Sequence, residues 1–175
     1  MSYFLTSQRL GFRVWQLADL PLAQTLWSNP DVARFLGTPP TPQAAAERLQ
    51  NEIALNAERG MQYWPIFLLD SGLHVGCAGV RPYRDDTGTF ELGYHLLPDF
   101  WGQGLAGEAA RAVMRYAFTT LGVSELFAGH HPDNPASGRV LTRIGFRYAG
   151  MQFYAAWNAD EPTYRLTLEE WNSLP

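Results

Sequence analysis

Residues 99–118 read DFWGQGLAGEAARAVMRYAF, and the meaning given to this stretch decides the fold. Gly102, Gly104 and Gly107 fall within six residues and run directly into a helical pattern. Ala106, Ala109, Ala110, Val113, Met114, Ala117, Phe118 and Leu121 recur in steps of three and one, a broad apolar stripe whose alanines permit close approach to a sheet. The start of a helix exposes unpaired N–H groups and carries partial positive charge. Glycines ahead of it let an anion reach the backbone with no side chain in the way. The glycines therefore read either as a phosphate-binding loop or as a device for turn geometry and close packing.

The same letters satisfy G-x-G-x-x-G, the fingerprint of a Rossmann domain in an NAD-dependent oxidoreductase. That fold needs a strand directly before the loop and an acid at the end of the next strand. Here PDFW separates TFELGYHLL (89–97) from Gly102, and Glu125 begins ELFAG instead of ending it. Upstream, YWPIFLL (63–69), HVGCAGV (74–80) and TFELGYHLL are joined by the turn signals DSG and RDDTG. Such connections are too short for crossover helices and predict antiparallel strands.

Working further outward, LGFRVWQ (10–16) reads as a first strand, and Asp19 as the cap of a short helix through LPLAQTLWSN. Pro30 opens another turn through Leu36. Thr41, with Pro42 in the first helical position, opens a helix whose Ala45, Leu49 and Ile53 share a face and which Gly60 closes. Downstream, SELFAG (124–129) reads as a strand and NPASGRVLTRIGF (134–146) as a helix capped by Asn134. RYAGMQFYAAW (147–157) and TYRLTLEEW (163–171) read as closing strands. The pattern predicts an α/β chain, one domain over residues 1–175, with helices on the faces of a mixed sheet.

With 175 residues, 46 % of them hydrophobic, the chain can bury a sizeable core. A net charge of -4 gives no electrostatic case for nucleic acid or an anionic membrane. The single cysteine, Cys77, excludes a disulfide framework and a cysteine-rich metal site, and its apolar surroundings read as core. No run of eighteen apolar residues and no leader pattern occurs, so a cytoplasmic location is the default expectation. His130, His131 and Asp133 form HHPD, but adjacent histidines on an extended segment point to opposite sides, and no metal is expected.

Taking Trp101 as the first position, residues 101–106 resemble the Q/R-x-x-G-x-G/A pyrophosphate signature of the GCN5-related N-acetyltransferases, the GNAT superfamily. Gly104 and Ala106 match the fourth and sixth positions, whereas Trp101 departs from the first. ELGYHLLPDFWGQGLAGEA, HPDNPASGRVLTRIGF and SQRLGFRVWQLADLPLAQTLWSNPDVARFLG resemble, in order, segments of the branch that acetylates ribosomal-protein amino termini. The resemblance implies a strongly curved, predominantly antiparallel sheet of about six or seven strands, split between the fourth and fifth, with acetyl-coenzyme A in the split. It implies that the backbone of Gly102, Gln103, Gly104, Leu105, Ala106 and Gly107 holds the pyrophosphate. The backbone of Tyr94, His95, Leu96 and Leu97, together with Asn134, would meet the pantetheine arm.

Two side chains acquire catalytic expectations from the same resemblance. Ser137 matches a residue that donates to the departing sulfur, and Glu91 one that binds the acceptor amine or draws off its proton through water. Read alone, Ser137 is equally an ordinary first-turn residue, and Glu91 can simply face solvent. The implied activity is direct transfer of acetyl to a primary amine. At pH 7 only about one alkyl amine in a thousand is neutral, a deficit of roughly 4 kcal/mol, and an α-amino group with a pKa near 8 needs less help. A protein or peptide α-amino group therefore leads. A polyamine, amino sugar or amino acid, and a non-catalytic acyl-coenzyme A sensor, are the alternatives. Trp27, Phe35, Trp64 and Tyr83 are the aromatic residues expected around the acceptor. The sequence leaves the oligomeric state open, a homodimer included.

Overall fold

Thr41, Pro42 and Gly60 bound the longest helix as their chemistry requires. The Thr41 hydroxyl accepts from the Ala44 N–H at 3.2 Å, and the chain leaves the helix at Gly60. In chain order the computed structural model has β1 (Leu5–Thr6), β2 (Leu10–Phe12), α1 (Leu20–Trp27), α2 (Pro30–Ala33), α3 (Pro42–Arg59), β3 (Tyr63–Leu68), β4 (His74–Pro82) and β5 (Thr89–Leu96). There follow α4 (Leu105–Thr119), β6 (Glu125–Gly129), α5 (Pro135–Arg143), β7 (Arg147–Tyr154), β8 (Ala159–Thr167) and α6 (Leu168–Asn172). The structure describes residues 2–83 and 88–174, so the turn expected at RDDTG lies outside the described residues except for Gly88.

One sheet runs in the order β1-β2-β3-β4-β5-β6-β8-β7. Neighbours are antiparallel throughout except β5 and β6, which are parallel. The three strands from Tyr63 to Leu96 form the expected antiparallel run. Eight strands appear where six or seven are expected, because Leu5–Thr6 folds back on Gly11–Phe12 as a separate two-residue strand. That extra strand also moves the parallel junction from between the fourth and fifth strands to between the fifth and sixth.

The α4 stripe covers one face of the sheet. Ala109, Ala110, Val113 and Ala117 are fully buried there, in one cluster with Ile66, Ala78, Val80 and Leu92. Alternation along β5 sends Phe90, Leu92 and Tyr94 toward this cluster and Glu91 and Gly93 toward the other face. On that other face α1 and α3 pack Leu26, Trp27 and Leu49 against Trp15, Tyr63 and the fully buried, free Cys77. Trp64 belongs to the α4 side, so it does not border an acceptor; Tyr83 stacks on Phe127 with ring centroids 3.8 Å apart. Among the described residues no helix is long and apolar enough to cross a membrane.

Two local expectations change. Asp19 does precede α1, yet its carboxylate turns back to accept from the Gln16 N–H at 2.8 Å and from Arg13 at 2.6 and 2.7 Å. Burial opposes ionisation, but the Arg13 guanidinium and the Gln16 N–H together hold this carboxyl below its usual range. The final strand stops at Thr167, where Thr167 and Glu170 form a reciprocal capping box that starts α6.

The β3–β4 ladder is close enough to demand glycine: a Cβ on Gly79 would fall 1.8 Å from the Gln62 carbonyl oxygen. Gly79→Ala is expected to cost about 1–3 kcal/mol or more in urea denaturation. Thr41→Ala, which removes only a cap, is expected to cost about 1 kcal/mol. Equal stability of Gly79→Ala and the parent would contradict the tight approach.

Candidate active site

Parallel pairing of β5 with β6 lasts three rungs, Thr89↔Glu125, Phe90↔Leu126 and Glu91↔Phe127. Beyond Glu91, β5 stays on β4 as far as Leu96, while β6 stays on β8 as far as Gly129. The strands part, and a cavity of about 1230 Å³ opens between them. Pockets for a single small ligand span roughly 300–1,000 Å³. This one has room for two molecules side by side.

One end of the cavity is the glycine loop. Gly102 and Gly104 have φ of 73° and 77°, a left-handed backbone that favours glycine, and α4 begins at Leu105. The Glu108 N–H bonds the Gly104 carbonyl at 3.1 Å, so the N–H groups of Leu105, Ala106 and Gly107 are the first-turn donors without a helical partner. Arg9 braces the loop, donating to the Gln103 carbonyl at 3.2 Å and to Glu108 at 2.7 Å. Burial opposes ionisation of Glu108, but hydrogen bonds from Ser7 and Arg9 hold its carboxyl below the usual range. These donors fit a pyrophosphate without a basic side chain at position 101. The Trp101 indole instead donates to the Leu96 carbonyl at 2.8 Å and closes the end of β5.

Of the residues expected at the coenzyme, Gly102, Gly104, Leu105, Ala106, Gly107, Tyr94, His95, Leu96, Asn134 and Ser137 line the cavity. Gln103 and Leu97 do not. Gln103 donates its side chain to the Asp99 carbonyl, and the Leu97 N–H is taken by Val75 at 2.9 Å. The His95 ring turns away into the α1–α3 core, where its Nδ1 accepts from Trp27 Nε1 at 3.4 Å. Desolvation and the guanidinium groups of Arg48 and Arg81 push its pKa well below the usual value. Asn134 caps α5 by accepting from the Ser137 N–H at 3.4 Å. The Tyr94 hydroxyl lies 2.8 Å from the Ser137 hydroxyl and 3.2 Å from the Ser137 carbonyl, so its single proton has two acceptors within reach.

At the other end lie two carboxyl groups. Glu91 accepts from the Tyr63 hydroxyl, and its pKa is raised: desolvation outweighs Arg81 and Arg48. Across the fork, Glu161 on β8 is 5 % exposed and sits over Gly129, where a Cβ would fall 2.5 Å from its Oε2. Desolvation, with the like charge of Glu91, lifts Glu161 to about 7. A chain of rings closes this end: Tyr154 to Trp157 at 4.4 Å, Trp157 to His131 at 5.0 Å and His131 to Phe35 at 5.9 Å. Phe35 is the one expected aromatic residue that lines the cavity, since Trp27 is buried behind Arg48 with its ring 4.9 Å from that guanidinium.

Sequence reasoning missed Glu161, Tyr154 and Trp157. Residues 158–162 fall between the two expected closing strands, and Pro162, which lacks an N–H, argues against a strand there. Pairing with β7 alone, Met151↔Pro162 through Tyr154↔Ala159, nevertheless carries β8 back to Ala159, beyond Thr163 where its pairing with β6 stops. The one usable signal was alternation of Glu161 with Thr163, both buried on one face. His130 accounts for itself structurally: its Nδ1 meets the His131 carbonyl at 2.8 Å. Among the described residues no group of three or more His, Cys, Asp or Glu side chains is placed to hold a metal ion. The Rossmann alternative fails on topology, because the strand before the loop is antiparallel to its predecessor and a single parallel pair exists among the described residues.

Comparison with known proteins agrees with this geometry. The family model described as an acetyltransferase (GNAT) domain matches residues 9–147. The N-acetyltransferase YoaA of Bacillus subtilis is 30% identical over 149 residues, covering 84% of each chain. A GNAT-family acetyltransferase structure from Bacillus anthracis superposes with a TM-score of 0.82 at 23% identity, covering 94% of this chain and 98% of that one. The structure of RimL, a ribosomal L7/L12 alpha-N-protein acetyltransferase in complex with coenzyme A, gives a TM-score of 0.79 at 21% identity over 94% and 97% of the two chains. A sheet forked at one parallel junction, a glycine-led helix at the fork and a matching family model lead to one conclusion: the chain belongs to the GNAT acetyltransferase family.

Proposed function

We propose that this acetyltransferase moves acetyl from acetyl-coenzyme A to an α-amino group, that of a protein or peptide being the leading acceptor. The observation that carries the reading is the Glu161 carboxyl, raised to about 7 at the end of the cavity remote from the glycine loop. A base of that strength takes a proton from an α-ammonium group of pKa about 8 at a cost of roughly 1.4 kcal/mol. From an alkyl ammonium near 10 the cost is about 4 kcal/mol. RimL, by its description an alpha-N-protein acetyltransferase, supports the same choice.

When bound, acetyl-coenzyme A supplies the acetyl thioester. The first-turn N–H groups of α4 hold its pyrophosphate, and the β5 edge beyond Glu91 offers backbone donors and acceptors to its arm. Glu161 accepts the ammonium proton. Glu91, held in place by the Tyr63 hydroxyl, offers its carboxyl oxygens to the amine from the other side of the fork. The Ser137 hydroxyl holds a proton for the departing sulfur. This requires Tyr94 to donate to Ser137 Oγ, because a Tyr94 hydroxyl turned to the Ser137 carbonyl would draw the serine proton toward itself.

Calorimetry should show saturable binding of acetyl-coenzyme A, and thiol release should accompany acetylation of a peptide amino terminus. Binding without transfer to any amine would support the sensor instead. Below pH 7 the kcat/KM of the parent should fall about tenfold per unit as Glu161 becomes protonated. Glu161→Gln should lose about 10²–10⁴ in kcat while acetyl-coenzyme A affinity is retained. An unchanged kcat would remove Glu161 from the chemistry.

The same carboxyl costs stability. It ionises near 4.5 when unfolded and at about 7 when folded, so its penalty is absent below pH 4.5, grows as pH rises and is complete above 7. Glu161→Gln is therefore expected to gain on the order of 2 kcal/mol over the parent at pH 8 relative to the difference at pH 4. Denaturant titrations at the two pH values measure it.

A further inference from the structure

In the same cavity as the carboxyl pair lies a cation whose one nearby carboxylate, among the described residues, is already engaged by other donors. Arg48, on α3, lines the cavity with its side chain 18% exposed. Among the described residues its guanidinium donates no hydrogen bond, and the only carboxylate within 4.0 Å is Glu52, whose Oε1 is 3.9 Å from Nε. Glu52 cannot come closer, because both its oxygens are engaged. Oε2 accepts from the Tyr63 N–H at 2.8 Å and Oε1 from Arg81. Arg81 is itself held over the Tyr63 ring at 4.0 Å. Two guanidinium groups thus share one fully committed carboxylate, and the surplus positive charge stands at the cavity wall on a Trp27 ring that fixes its direction. Glu91 does not neutralise it by contact, for no ion pair joins the two.

A guanidinium with five donors and no acceptor, lining the same cavity as Glu91 and Glu161, neither of which has a cation within ion-pair distance among the described residues, makes a complementary pair of subsites. We propose that the acceptor is an amino carboxylate: its ammonium group faces Glu91 and Glu161, and a carboxylate near that amine is received by Arg48. This rests on the transferase reading above and narrows its acceptor. The carboxylate has two sources, the α-carboxylate of a free amino acid or an acidic side chain at the start of a peptide. An amine without a carboxylate, such as an amino sugar or a polyamine, would leave Arg48 without an acceptor partner, and a polyamine would add positive charge beside it.

The test is calorimetry on the protein loaded with coenzyme A, paired with initial rates from acetyl-coenzyme A. The probes are alanine and phenylalanine, each as free acid and as amide, and short peptides with Glu or Gln as the second residue. The expected result is a preference of about tenfold or more for the carboxylate member of at least one pair, in affinity and in kcat/KM. Arg48→Gln should reduce that ratio to about twofold or less, and Arg48→Lys should restore part of it, with coenzyme A affinity and melting temperature near those of the parent. Preference within the free amino acids identifies the α-carboxylate; preference confined to the peptides identifies the side chain.

Equal binding of acid and amide, equal loss of both in Arg48→Gln, or binding of no member of the panel would overturn the proposal. Carboxylate-dependent binding without acetylation would leave this subsite standing and refute the transfer reaction instead.

Discussion

The candidate site of this molecule follows from where one strand pairing stops. Three parallel rungs tie β5 to β6, and each strand then keeps its allegiance to its outer neighbour. Had the ladder continued, the β5 edge would be consumed by β6 and no cavity would exist. The fork instead produces a wedge of unpaired backbone with a wall on either side. Gly93 and Gly129 stand on those walls, and each leaves space that a polar group occupies: the Tyr63 hydroxyl over the first, the Glu161 carboxyl over the second. The carboxyl groups are desolvated because the fork is deep, and they feel one another because it is narrow. Geometry and acidity therefore share one cause.

The two ends of the cavity are built in different ways. The glycine loop and α4 need only backbone donors, a short stretch of chain and a brace from Arg9. The acceptor end is assembled from α3, the loop near Phe35, β5, β8 and the β7–β8 turn, so its character depends on contacts between distant segments. Trp157 illustrates this: its ring lies within 2.8 Å of where a Gly37 Cβ would stand, more than a hundred residues away in sequence. On the proposed reading, coenzyme recognition is consequently local, and acceptor recognition is not.

That division explains what could be read in advance. Helix α3 was legible because Thr41, Pro42 and Gly60 act through their own backbone, and α4 because its stripe is unbroken over fifteen residues. The antiparallel run from Tyr63 to Leu96 was legible from turn chemistry and alternation. Glu91, Ser137 and Asn134 could be singled out because their motifs are short. Glu161 could not, since Pro162 argues against a strand and only one-sided pairing with β7 overrides it, a place on a sheet edge that tolerates proline. Arg48 looks like any charged residue on a helix. Its distinction lies in Tyr63 and Arg81 exhausting Glu52, a tertiary fact with no sequence signature. Asp19 and Thr167 show the smaller version: a guanidinium draws the Asp19 carboxylate away from its expected cap, and a capping box ends the expected last strand at Thr167.

The cation in each ion pair that shapes the site is arginine: Arg9 at the loop, Arg13 at Asp19, Arg48 and Arg81 at Glu52. All thirteen basic residues of the sequence are arginine, and there is no lysine among the 175 residues. An acetyl thioester is an electrophile that modifies any accessible neutral amine, and lysine is the side chain that supplies one. Guanidinium groups stay protonated and inert to it. The scaffold is thereby chemically deaf to the reagent it handles, and its electrostatic framework does not erode by self-modification as the enzyme works.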